Sequence, residues 1–94
     1  SSRLLANQLL RAGTSIGANV QEGQAGQSRA DFISKYSIAC KEARETHYWL
    51  RLIASMDGRE DAELQSMIEE ANQLVAILTV IVKKCREKKD KCKE

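Results

Sequence analysis

No proline interrupts this chain, and its four aromatic side chains, Phe32, Tyr36, Tyr48 and Trp49, fall within one segment. Sandwiches and barrels built on turn residues and β-branched or aromatic alternation are thereby disfavoured, and an all-α chain is the reading that remains. Histidine occurs once, as His47, and the residue three before it is Arg44. A carboxylate-bridged two-metal centre in a helical bundle draws Glu-x-x-His from two helices, so that ligand set is missing. The three cysteines, Cys40, Cys85 and Cys92, are odd in number and lack short paired spacing. Such usage argues against a disulfide framework and a zinc site and fits a reducing, cytoplasmic setting. Nothing at the start reads as a signal peptide, and no apolar run reaches membrane-spanning length. The glycines are followed by no Gly-Lys-Ser/Thr and preceded by no strand, which excludes a phosphate loop. No metal, cofactor or enzymatic activity is expected.

What is present is helical periodicity. Ninety-four residues form one domain near the lower end of what buries a core unaided. The organising stretch is Arg11 to Gly23, RAGTSIGANVQEG, where Ala12, Ile16 and Val20 recur at helical spacing. Gly13, Gly17 and Ala18 keep another face of this stretch thin enough for close helix approach. The first helix is predicted over about 2–21, with Leu5 and Leu9 continuing the stripe, Leu4 widening it, and Gly23 as the left-handed residue that ends it. Ser28 and Asp31 mark the start of a second helix over 28–56. Ile33, Tyr36, Cys40, Ala43 and Leu50 lie on one line of it, and Ile38, Trp49, Leu52 and Met56 on another, which implies two neighbours. A turn at Asp57-Gly58 leads to a third helix over 60–86. There Leu64, Ala71, Leu78 and Cys85 repeat every seven residues, with Met67, Leu74 and Ile81 between them. The run LVAILTVIV, residues 74–82, is apolar almost all round, so contacts beyond a three-helix monomer are expected. Trp49, Ile77 and Val80 are the candidate oligomer-interface residues. Bundle domain and tail divide at residue 86, with 87–94 a basic, fraying end.

These blocks carry a resemblance. Gln8-Leu9-Leu10-Arg11-Ala12, Ser15 to Gly23 (SIGANVQEG), Ser28-Arg29-Ala30-Asp31-Phe32 and Lys41 to Leu50 (KEARETHYWL) resemble the bacterial four-helix-bundle family encoded in intervening sequences of large-subunit rRNA genes. The resemblance covers roughly residues 7–86. It implies an antiparallel up-and-down bundle of four helices that assembles into a ring, commonly a pentamer, with a link to nucleic acid and no established enzymatic activity. Accessory variability proteins of diversity-generating retroelements share that architecture and serve as basic partners of a reverse transcriptase. Three long helices are visible in this chain, and the family's first helix would precede Ser1.

Two polar constellations are singled out. Glu42 and Glu45 lie three apart on one helix, and Asn19 and Glu22 are spaced alike on the preceding one. The two pairs are expected to meet across an antiparallel interface, with Arg11 or Lys41 balancing the acids and the network fixing register. The second is the basic end, Lys83, Lys84, Arg86, Lys88, Lys89, Lys91 and Lys93. Residues 83–94 carry a local charge of +4 within a net +2, leaving −2 on the rest. Cations at a helix end can simply complement its dipole; repeated around a ring, they would suffice to bind phosphate backbone without reading bases. The expectation is a non-enzymatic oligomer associated with structured or ribosomal RNA. A protein-binding scaffold or accessory subunit without nucleic-acid contact is the alternative.

Overall fold

The computed structural model describes residues 2–26, 28–57 and 61–93, and the side chains of 3–26, 28–56 and 61–88. Three helices account for nearly all of it: α1 Ser2–Ala25, α2 Arg29–Asp57 and α3 Ala62–Lys93. Contacts between α1 and α2 pair early with late residues, Arg11 with Glu45 and Glu22 with Lys35. Those between α2 and α3 do the same, Ser37 with Arg86 and Cys40 with Thr79. The three helices therefore run up, down and up, with α2 central. It packs on both neighbours, while the backbones of α1 and α3 stay apart. The result is an elongated body of 53 × 19 × 16 Å.

The caps follow from the sequence. Ser28 Oγ accepts the Asp31 amide at 3.1 Å, and the Ser28 carbonyl accepts that of Phe32 at 3.1 Å, which starts α2. At α3, Asp61 Oδ1 accepts the Glu63 amide at 3.0 Å, so Asp61 is the cap and the helix begins just after the expected position. The expected turn residue Gly58 lies outside the described residues.

Two helix ends differ from expectation. Gly23 does not terminate α1: the helix continues to Ala25, and no described glycine has a left-handed φ. A Cβ at Gly23 would stand 2.8 Å from Cδ1 and Cε1 of Tyr36, so glycine is needed there because the ring of the next helix lies against its backbone. The second difference is at α3, which runs past residue 86 to Lys93. Its apolar pattern stops there, but Lys, Arg and Glu are good helix formers and the cations complement the C-terminal dipole, so periodicity is not required to extend the helix.

The line Ile33, Tyr36, Cys40, Ala43 and Leu50 is buried throughout, as is Ala39 beside it. Ile16 from α1 and Leu78 and Val82 from α3 close on Tyr36, Ala39, Cys40 and Ala43 to make the main apolar cluster. The second α2 line is covered only in part: Ile38 and Met56 are exposed and Trp49 and Leu52 half-buried. Ala39 and Ala43 are fully buried in the cluster that residues of both flanking helices join, and their small side chains allow close approach to α2. Leu4, expected in the α1 stripe, is exposed.

Candidate functional site

The expected polar network forms only in part. Arg11 reaches across from α1 to Glu45 at 3.1 Å and to Glu42 at 3.5 Å. Glu22 pairs instead with Lys35 at 3.1 Å, and Asn19 Nδ2 donates to the Ser15 carbonyl of its own helix at 2.8 Å. Lys41 is exposed and takes part in none of the ion pairs among the described residues. Asn19 and Glu22 lie eight and eleven residues beyond Arg11, more than two turns along α1, so Glu22 meets a different level of α2 from Arg11. Glu42 is 8% exposed, and its Oε2 accepts no directed hydrogen bond.

Glu42 therefore depends on the Arg11 charge. Arg11→Ala is expected to lower stability by about 1–3 kcal/mol in urea unfolding, below the full cost of stranding a buried charge because Arg11 is itself half exposed. Arg11→Met combined with Glu42→Leu should recover most of that loss. A double variant as unstable as the single one would contradict the ion-pair reading.

On α3 the basic residues Lys83, Lys84, Arg86 and Lys88 are all exposed and carried on helical backbone. The side chains of Lys89, Lys91 and Lys93 lie outside the described residues. Arg86 is tied down, its guanidinium donating to Ser37 Oγ on α2 at 3.2 Å. Between these helices a cleft of about 460 Å³ is lined by Ser37, Cys40, Arg44, Thr79, Lys83, Arg86 and Glu87. Sequence reasoning missed the α2 half of this cleft. Ser37, Cys40 and Arg44 recur at helical spacing and so do Thr79, Lys83 and Arg86, but only the register between α2 and α3 brings the two rows together.

A second concavity of about 570 Å³ is open and largely apolar, lined from all three helices by Leu9, Leu10, Gly13, Leu50, Met67 and Leu74 among others. A Cβ added at Gly13 or Gly17 would meet nothing within 4 Å, so the thin face of α1 borders open space rather than a helix of this body. Of the candidate interface residues, Ile77 and Val80 are 57% and 50% exposed. Trp49 is half-buried, stands edge-on to Tyr48 at 5.2 Å, and has a buried indole N–H without an acceptor. Cys40 is buried with Sγ 3.3 Å from Thr79 Oγ1 at the wall of the α2/α3 cleft; the side chain of Cys92 lies outside the described residues. Among the described residues no three His, Cys, Asp or Glu side chains gather closely enough to hold a metal ion, and no helix is long and apolar enough to cross a membrane.

A family model described as 23S rRNA-intervening sequence protein matches residues 2–80. The chain is similar to a protein with unknown function from the S23 ribosomal protein family of Bacteroides thetaiotaomicron, known from its crystal structure. The two share 43% identity and a TM-score of 0.77, over 84% of this chain and 70% of that one. No curated protein matches.

Proposed function

This chain belongs to the 23S rRNA-intervening sequence protein family, and we propose that it acts without catalysis, as a self-associating helical bundle that binds structured RNA, ribosomal RNA foremost, through phosphate contacts. The observation that carries this reading is the basic end of α3, where Lys83, Lys84, Arg86 and Lys88 stand exposed within two turns of one helix. Cations on an ordered helix lose less freedom on binding than those on a frayed tail, and their spacing is fixed before the phosphates arrive. Self-association multiplies the effect, because each added copy brings another basic end to the same surface. A cytoplasmic ring of such copies, a pentamer, is the assembly this reading favours. Binding of the purified protein to a structured large-subunit rRNA fragment tests it: saturable binding at low salt is expected, and its absence would contradict the proposal.

The exposed apolar surface supports the self-association half. Ile77 and Val80 stand three residues apart on α3, 57% and 50% exposed, and are the aliphatic side chains this reading assigns to the interface. Ile77→Lys and Trp49→Ala are each expected to lower the native mass measured by light scattering. An unchanged mass in both would contradict this interface. The open apolar groove between α1 and α3 favours a second reading, a scaffold or accessory subunit that docks a protein partner and leaves RNA alone.

A further inference from the structure

The cleft between α2 and α3 has the chemistry of a phosphate site, and we propose that it seats a backbone phosphodiester of the bound RNA. This inference rests on the RNA-binding reading above and deepens it, from a diffuse basic end to a defined pocket that uses α2 as well as α3.

Three cations line the cleft, Arg44 from α2 and Lys83 and Arg86 from α3, against the single carboxylate of Glu87. None of the three takes part in an ion pair among the described residues. Elsewhere the cations facing a packed neighbour are neutralised: Arg11 is paired with two glutamates and Lys35 with one. The cleft thus gathers these three cations along one seam between two helices, where their fields add.

The hydroxyls sort themselves by what they already bond. Thr79 gives its proton to the Val75 carbonyl at 2.7 Å and stands 3.3 Å from the Cys40 thiol, so it forms a wall. Ser37 accepts from the Arg86 guanidinium at 3.2 Å and therefore keeps its own O–H to donate. That contact also holds the Arg86 fork at the cleft with further N–H groups free for an anion. Arg44 stands on the opposite row, so a phosphate entering between them could take planar guanidinium donors from both helices, the arrangement that suits phosphate oxygens best. The cleft is lined by no aromatic side chain on which a base could stack. Recognition would be of backbone rather than sequence.

The test compares four proteins for binding to the same structured rRNA fragment by fluorescence anisotropy across salt: the unsubstituted chain, Arg44→Ala, Arg44→Lys and Lys41→Ala. Lys41 is the matched control, an exposed cation on the same helix that does not line the cleft. Arg44→Ala should weaken binding roughly fivefold at ~0.15 M salt and lower the magnitude of the salt slope by about one. Arg44→Lys should recover the slope but only part of the affinity, and Lys41→Ala should change neither by as much as about twofold. Thermal unfolding followed by circular dichroism checks that Arg44, exposed in the fold, can be removed without loss of structure. If Arg44→Ala and Lys41→Ala behave alike while the unsubstituted chain binds RNA, the cleft is overturned and the RNA reading stands. If the unsubstituted chain binds no RNA at low salt, both fall. A parallel titration with inorganic phosphate separates sources: amide shifts confined to the cleft without RNA binding would make this a free-anion site and overturn the proposal as stated.

Discussion

Leu78→Ala is expected to reduce the free energy of unfolding by about 3 kcal/mol, within the usual range of ~2–5 for a buried leucine. Leu78 is 3% exposed and lies in the cluster that joins all three helices, among Ile16, Tyr36, Ala39, Cys40 and Val82. The cost should be near the middle of the range or above because the site cannot collapse into the space left. Ala39 and Ala43 have no side chain to swing inward. Tyr36 is held by its stack on Phe32, with ring centroids 4.1 Å apart and planes within 17°, and by the Gly23 backbone close to its Cδ1 and Cε1. For a domain whose total stability is on the order of 5–15 kcal/mol, such a loss would be plain in urea unfolding. Ile77→Ala, one residue earlier but outward-facing, is the control. It should cost less than ~0.5 kcal/mol in dilute protein and more as concentration rises, if that face is buried between copies. A loss under ~1 kcal/mol for Leu78→Ala would mean that the three helices do not share this core.

The second large effect concerns RNA. Replacing Lys83, Lys84, Arg86 and Lys88 together by glutamine is expected to lower affinity for a structured rRNA fragment by about a thousandfold at ~0.15 M salt. Each phosphate left without its cation takes roughly 0.9 from the magnitude of the salt slope, which at that salt is about fivefold in affinity. The substitutions also carry the net charge from +2 to −2, so a matched variant is needed. Arg3, Arg29, Lys41 and Arg51 are likewise exposed, and glutamine at those four positions gives the same net charge with the α3 end intact. That variant should weaken binding by less than about tenfold, through the general field alone. Equal effects in the two would show that affinity follows net charge and that the end of α3 has no special part. The helix itself should survive in both, because glutamine is close to lysine in helix propensity and none of these side chains is buried.

Most of the fold was legible in the sequence because helical burial is periodic. The line Ile33, Tyr36, Cys40, Ala43 and Leu50 could be read directly, and so could the Ser28 cap, since each depends on residues within one or two turns. What could not be read depends on another helix. Gly23 looked like a stop signal, because glycine after an apolar stripe has that meaning locally; its actual constraint is the Tyr36 ring, thirteen residues on in sequence and in contact only once α2 folds back. The polar network was half legible for the same reason. Arg11 found both expected glutamates, while Glu22 found Lys35, a residue with no local mark of partnership. The length of α3 was underestimated because an apolar pattern ends where burial ends, and a helix of good formers need not end with it. The α2/α3 cleft was illegible altogether. Arg44 and Ser37 look ordinary on their own helix and gain meaning only when the register sets Arg86 opposite Ser37.

The central claim is that this bundle holds RNA by its phosphates through cations fixed on helices. The most direct measurement is the affinity of the unsubstituted chain for a structured large-subunit rRNA fragment, titrated from about 50 to 200 mM salt. Log affinity should fall linearly with log salt, with a slope steeper than about −3, as expected when four or more cations of the α3 end release counterions together. A slope near zero, or no binding at the lowest salt, would contradict the claim and direct attention to the apolar groove between α1 and α3 and a protein partner.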